Sequence, residues 1–214
     1  MNVLVIGANG NIGQKVVRLL ANQKNHQVKA MVRKEEQVAP LEQLGAEGVV
    51  ADLETEDGVK KAAAGSDVII FTAGSGGHTG ADKTMLVDLD GAIKSIEAAV
   101  EHEVKRFIMV SALHTDQPTL WPEDMKPYFV AKRRADDWLK RSGLNYTILR
   151  PGWLTDEAGT GKIEASSHLN KSGSISREDV ATVIVETIEC ERTYRQTIDF
   201  ISGEKTIREA LQSF

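Results

Sequence analysis

The sequence predicts an α/β fold, a doubly wound parallel sheet of about seven strands with a small C-terminal extension. Three observations carry this expectation. Short apolar runs rich in Val and Ile alternate with amphipathic stretches, glycines close those stretches, and a glycine-rich turn joins the first run to the first stretch.

Taken in order, NVLVIG, HQVKAMVR, AEGVVAD, SDVIIFTAG, VKRFIMVSA and NYTILRPG read as strands buried on both faces. Between them, helical spacing runs over roughly 12–22, 35–44, 56–64, 83–103 and 125–142. Such alternation implies parallel strands joined by helical crossovers. Gly45, Gly65 and Gly143 each follow a helical run, where a left-handed residue is wanted, and Thr55 and Ser176 suit N-caps. Ser176 to Asp179 reads as a capping box with Asp in place of Glu. After Pro151 the rhythm loosens. Residues 151–175 are rich in Gly, Ser and Thr, followed by a helix near 177–189, a strand QTIDFIS and a short last helix.

Composition narrows the classes. With 214 residues, 41% of them hydrophobic, the chain can bury one sizeable core. We therefore expect a single domain over 1–214, with 151–214 forming a small lobe. The balance of 26 basic and 31 acidic residues gives a net charge of -5, which argues against nucleic acid as a partner. The single cysteine, Cys190, has no intrachain partner and reads as a packing residue, and no Cys/His spacing suits a metal. Neither a secretion leader nor an apolar run of about 20 residues is visible, so the expectation is a cytoplasmic protein without membrane contact.

The turn GANGNIG supplies the first functional reading. Gly7 ends a strand, Gly10 lets the main chain approach a pyrophosphate, and Gly13 lets helix and strand pack closely, as in a Rossmann-like dinucleotide site. Asn9, Asn11 and Ile12 complete the loop, and the helix start offers free N–H groups to phosphate. Past the second strand, Arg33 and Lys34 stand where a carboxylate would select NAD. A guanidinium there suits a 2'-phosphate, so NADP is favoured over NAD. Asp52 and Leu53 fall where adenine rests, and Thr72, Ala73 and Gly74 fall along the adenosine ribose.

GANGNIG, together with Tyr128-Phe-Val-Ala-Lys132, resembles the extended and atypical members of the short-chain dehydrogenase/reductase superfamily. The segments AKRRADDWLKRSGLNYTILRPGWLTDEAGTG and ISREDVA extend that resemblance over nearly the whole chain. It implies Tyr128 as general acid/base, Lys132 as its tuner and ribose anchor, Ser111 as the serine facing the reacting oxygen, and Pro151 and Gly152 as the loop at the nicotinamide amide. Four positions apart on a helix, Tyr128 and Lys132 share a face, so the ammonium is expected to pull the phenol below its usual pKa of ~10. One departure stands out. Asp88 occupies the place of the family's helix asparagine, and an ionised carboxylate cannot donate a hydrogen bond.

The resemblance thus implies an NADP-binding oxidoreductase acting on a small carbonyl or hydroxyl compound. Its alternatives are an NmrA-like redox sensor without turnover, or an epimerase/dehydratase. A homodimer through the long fourth and fifth helices is a further expectation. His78 and His114 follow strand ends on the expected ligand side, Trp121 and Trp153 flank the expected cleft, and Arg133 and Arg134 beside Lys132 read as exposed helix surface.

Overall fold

The computed structural model describes residues 1–76 and 79–214. β1 (Asn2–Ile6) turns into α1 (Asn11–Gln23), followed by β2 (Gln27–Val32), α2 (Val38–Glu42), β3 (Glu47–Val50), α3 (Glu56–Ala63) and β4 (Val68–Phe71). The next helical segment begins as α4 (Ala81–Lys83), widens to a π-helix over Thr84–Gly91 and returns to α-helix as α5 (Ala92–Glu101). β5 (Arg106–Val110), α6 (Lys126–Arg141) and β6 (Tyr146–Pro151) complete the alternation. The C-terminal part adds β7 (Trp153–Thr155), β8 (Lys162–Ser166), β9 (Ser174–Ser176), α7 (Arg177–Ile188), β10 (Gln196–Ser202), β11 (Lys205–Thr206) and α8 (Ile207–Gln212).

The main sheet has the order β11-β8-β10-β6-β5-β4-β1-β2-β3. From β10 to β3 all neighbours are parallel, as the buried apolar runs require, and antiparallel β8 and β11 extend the sheet to nine strands. Alternation along each strand divides the core in two. On β1, Val3 and Val5 face α1 and α7, with Val16, Leu20, Val180 and Ile184. Leu4 and Ile6 face the other way, toward Val59, Ile96 and Leu139 of α3, α5 and α6.

Gly45, Gly65 and Gly143 take φ of 95°, 71° and 80°, in keeping with left-handed helix ends. Ser176 caps α7 by accepting from Asp179 N at 3.0 Å. Thr55 begins α3 but does not cap it. Its hydroxyl turns back to donate to Asp52 O at 2.9 Å. The stretch 151–175, read as irregular, contains β7, β8 and the start of β9. These strands lack apolar runs because most of their side chains stay partly exposed; partners from β10 and from each other, not local pattern, hold them.

Candidate functional site

The site forms where the strand order reverses, at the C-terminal ends of β1 and β4. Gly7 leaves β1 with φ of 82°, and a Cβ there would lie 2.6 Å from Ala73 N. A Cβ at Gly13 would collide with the Gly7 carbonyl oxygen and sit 2.8 Å from Ala8 Cα. Both positions therefore exclude any side chain. Gly10 N donates to Gly7 O at 3.0 Å and closes the turn, leaving Gly10 extended as the N-cap of α1 without a side-chain cap. No acidic residue occupies the first turn of α1. An uncapped, acid-free helix start presents free N–H groups and a partial positive charge, the donor set that a pyrophosphate needs.

At the corner where the sequence places a 2'-phosphate contact, Arg33 and Lys34 follow β2 directly and are exposed. Both main-chain N–H groups donate to Gln37 Oε1 at 3.1 Å, and Lys34 pairs with Glu36 at 3.4 Å, so this corner is a small ordered turn. Asp52 is occupied locally: its Oδ1 accepts from Glu54 N at 2.9 Å. Leu53 packs on the core beside α5. Thr72 is anchored by its hydroxyl, which donates to Ile6 O at 3.0 Å.

Beyond the turn opens a cleft of about 830 Å³. It gathers Gly10, Asn11, Ile12, Thr72, Ala73, Gly74, Asp88, Ser111, Tyr128, Lys132, Pro151 and Gly152 on one surface. Gly7, Asn9 and Gly13 lie in the turn behind it, while Arg33, Lys34, Asp52 and Leu53 are not part of its wall. Gly152 N donates to Phe200 O at 2.9 Å, tying the loop after β6 to β10.

The reactive groups meet at the far end. Tyr128 is partly exposed to the cleft and stands edge-on to Phe129, with centroids 5.5 Å apart. Lys132 Nζ lies 5.7 Å from the Tyr128 ring centroid and donates to Val110 O at 3.3 Å. The amine is also 3.1 Å from Asp88 Oδ1, both side chains being buried. Asp88 is held in turn by Ser75 N, which donates to Oδ2 at 2.9 Å. Burial alone would lower Lys132; Asp88, with Tyr128 and Asp136, outweighs it and raises the amine above its ordinary pKa. For Tyr128 the outcome reverses the expectation from spacing. Burial pushes the phenol up, Asp88 and Asp136 add to that push, and the pull of Lys132 does not overcome them.

Ser111 directly follows β5 and is buried, its hydroxyl against the Asp136 carboxyl but outside hydrogen-bond geometry. Asp136 belongs to a charge network that the sequence reading missed. Arg150, 2% exposed, donates from Nε and Nη2 to Asp136 Oδ2 at 3.0 and 2.9 Å. Its Nη1 pairs with Asp116 at 2.9 Å and lies 3.8 Å from Asp199. A charged residue inside the apolar run TILRP was the available signal.

Other candidates divide. His114 lines the cleft with a left-handed backbone (φ 64°), and its Nε2 is 3.1 Å from Ser172 Oγ. Trp153 also lines it and is 56% exposed. Trp121 does not: it stacks on Phe129 at 5.6 Å, and its indole N–H donates to His114 O. His78 lies outside the described residues. Cys190 is buried beyond α7. Among the described residues, no helix is long and apolar enough to cross a membrane.

An open parallel sheet with a glycine turn, an uncapped first helix and a cleft at the reversal point defines a dinucleotide-binding Rossmann protein. The chain belongs to the NAD(P)H-binding family, whose model matches residues 7–191. Its relatives include YhfK of Bacillus subtilis (strain 168), called an uncharacterized sugar epimerase, 52% identical with 99% of each chain covered. Among solved structures it resembles a Bacillus halodurans protein provisionally named an NAD-dependent epimerase/dehydratase, at 47% identity, TM-score 0.95 and full coverage of both chains. The oxidoreductase ylbE of Lactococcus lactis is 34% identical with TM-score 0.89, covering 100% of this chain and 96% of that one.

Proposed function

We propose that the protein is an NADP-dependent oxidoreductase of the short-chain dehydrogenase/reductase type, acting on a small carbonyl or hydroxyl compound. The observation that carries this reading is the convergence of Tyr128, Lys132 and Ser111 on the cleft that starts at Gly10–Ile12. The fit of the coenzyme rests on the uncapped start of α1 and the two positions where no Cβ can stand. The loop 7–13 would hold the pyrophosphate, Arg33 and Lys34 the 2'-phosphate, Thr72 to Gly74 the adenosine side, and Lys132, Pro151 and Gly152 the nicotinamide end. When bound, the coenzyme supplies or accepts a hydride.

The chain's own residues handle the rest. Tyr128 carries the proton at its hydroxyl, Ser111 orients the substrate oxygen, and Lys132 holds positive charge beside both. Trp153, Leu154 and Leu120 add apolar wall to the reacting end, against which the carbon part of a substrate would lie.

The test is NADPH consumption across a panel of aldehydes, ketones, quinones and flavins. Tyr128→Phe is expected to lower the rate by about 10²–10⁴-fold while coenzyme affinity holds. No consumption with any acceptor, or a rate indifferent to Tyr128→Phe, overturns the reading. One observation favours a second reading, a redox sensor without turnover: Lys132 is already engaged by Asp88. Calorimetry showing NADP(H) binding without any turnover would select it. We place the protein in the cytoplasm, as its lone cysteine suits. We also infer a homodimer through the exposed Met85, Leu86, Val130 and Trp138, which sedimentation equilibrium tests.

A further inference from the structure

We propose that Asp88 is a positioning residue that takes up the charge of Lys132, keeps the Tyr128 hydroxyl protonated through the neutral range, and thereby sets the site to give a proton to a carbonyl oxygen. This inference rests on the oxidoreductase reading and adds to it the working form of the catalytic acid.

Distance and burial carry it. The Lys132 ammonium is 3.1 Å from Asp88 Oδ1 but 5.7 Å from the centre of the Tyr128 ring. An opposite charge paired this closely with the ammonium offsets part of the field that the ammonium projects onto the phenol, and burial of the phenol acts in the same direction. Asp88 is 1% exposed, so water does not dilute its effect, and Ser75 N fixes its second oxygen. A π-helical stretch of eight residues brings Asp88 there, and π-helical turns concentrate at functional sites.

The other ionisable groups around Tyr128 do not restore the balance. Asp136, on its own helix, pushes in the same direction as Asp88. From the remaining walls of the cleft come Asp124, His114 and Arg177, and Arg177 is already paired with Asp156 at 2.8 Å.

In the reaction this implies, the carbonyl π pair takes the proton from Tyr128 Oη while the carbonyl carbon accepts the hydride that a bound reduced dinucleotide would supply. The products are the alcohol, the oxidised dinucleotide and a phenolate. Because Tyr128 is partly exposed to the cleft, water reprotonates it before the next turnover.

Near-ultraviolet titration of the phenol tests this without any substrate. Tyr128 is isolated as the difference between the wild type and Tyr128→Phe, and again between Asp88→Asn and Asp88→Asn/Tyr128→Phe. The wild-type phenol is expected to titrate above free tyrosine, and Asp88→Asn to bring it down by about one pKa unit, a tenfold change in the ionisation constant. The alkaline limb of carbonyl reduction is expected to move down with it. A Tyr128 titration unchanged by Asp88→Asn, or a wild-type phenol at or below the free value, overturns the proposal. If Asp88→Asn does not fold, the same pair of titrations on Asp88→Ser decides in its place. Absence of turnover with every acceptor overturns the oxidoreductase reading instead, and leaves the titration to report on Asp88.

Discussion

Around the glycine turn, the cleft is made of main chain: N–H groups at the start of α1, and positions 7 and 13 where an added carbon meets backbone. Around β5 and β6 its wall carries buried charge, Lys132 against Asp88, and behind that wall Arg150 sits among Asp116, Asp136 and Asp199. The first region tolerates no extra atom, because fixed backbone cannot move aside. The second tolerates no missing partner, because a desolvated ion left alone costs far more than the pair contributes. A ligand part that never varies can be gripped by bare backbone, whereas proton transfer needs groups whose charge can be tuned.

Substitutions break this contrast in a graded way. Arg150→Met is expected to have the largest effect on stability, about 3–5 kcal/mol, because it strands buried carboxylates; chemical denaturation measures it. Gly13→Ala comes next, at about 1–3 kcal/mol from overpacking, with coenzyme binding lost in calorimetry because the turn must shift. Arg33→Ala sharpens the backbone side: NADPH affinity is expected to fall roughly tenfold or more with NADH affinity held, as the proposed contact with a 2'-phosphate requires. Ser176→Ala, which removes the cap of α7 outside both regions, is expected to cost about 1 kcal/mol in thermal unfolding and leave coenzyme binding intact.

The same division explains what could be read from the chain. Strands β1, β4, β5 and β6 were legible because burial on both faces forces apolar runs, whereas β3, expected to be buried likewise, lies at the sheet edge with Glu47 and Val50 exposed. The glycine turn was legible because steric exclusion leaves only one residue type. Neither condition holds for β7 to β9. A Cβ on Gly173 would sit 2.7 Å from Ile201, so that stretch is shaped by the close approach of a distant strand. The pairing of Asp88 with Lys132 depends on a π-helical widening that leaves no trace in apolar spacing. The phenol of Tyr128 followed, since its expected pKa came from one neighbour while the fold supplied burial first and two carboxylates besides.

The sheet finishes on one side in β11, two residues long, with α8 starting immediately after it. Lysine occupies one of those two positions. A margin this brief offers a stray chain almost no ladder of free amides and carbonyls to continue, and its ammonium repels a like copy. Addition of copies strand by strand is therefore disfavoured along β11.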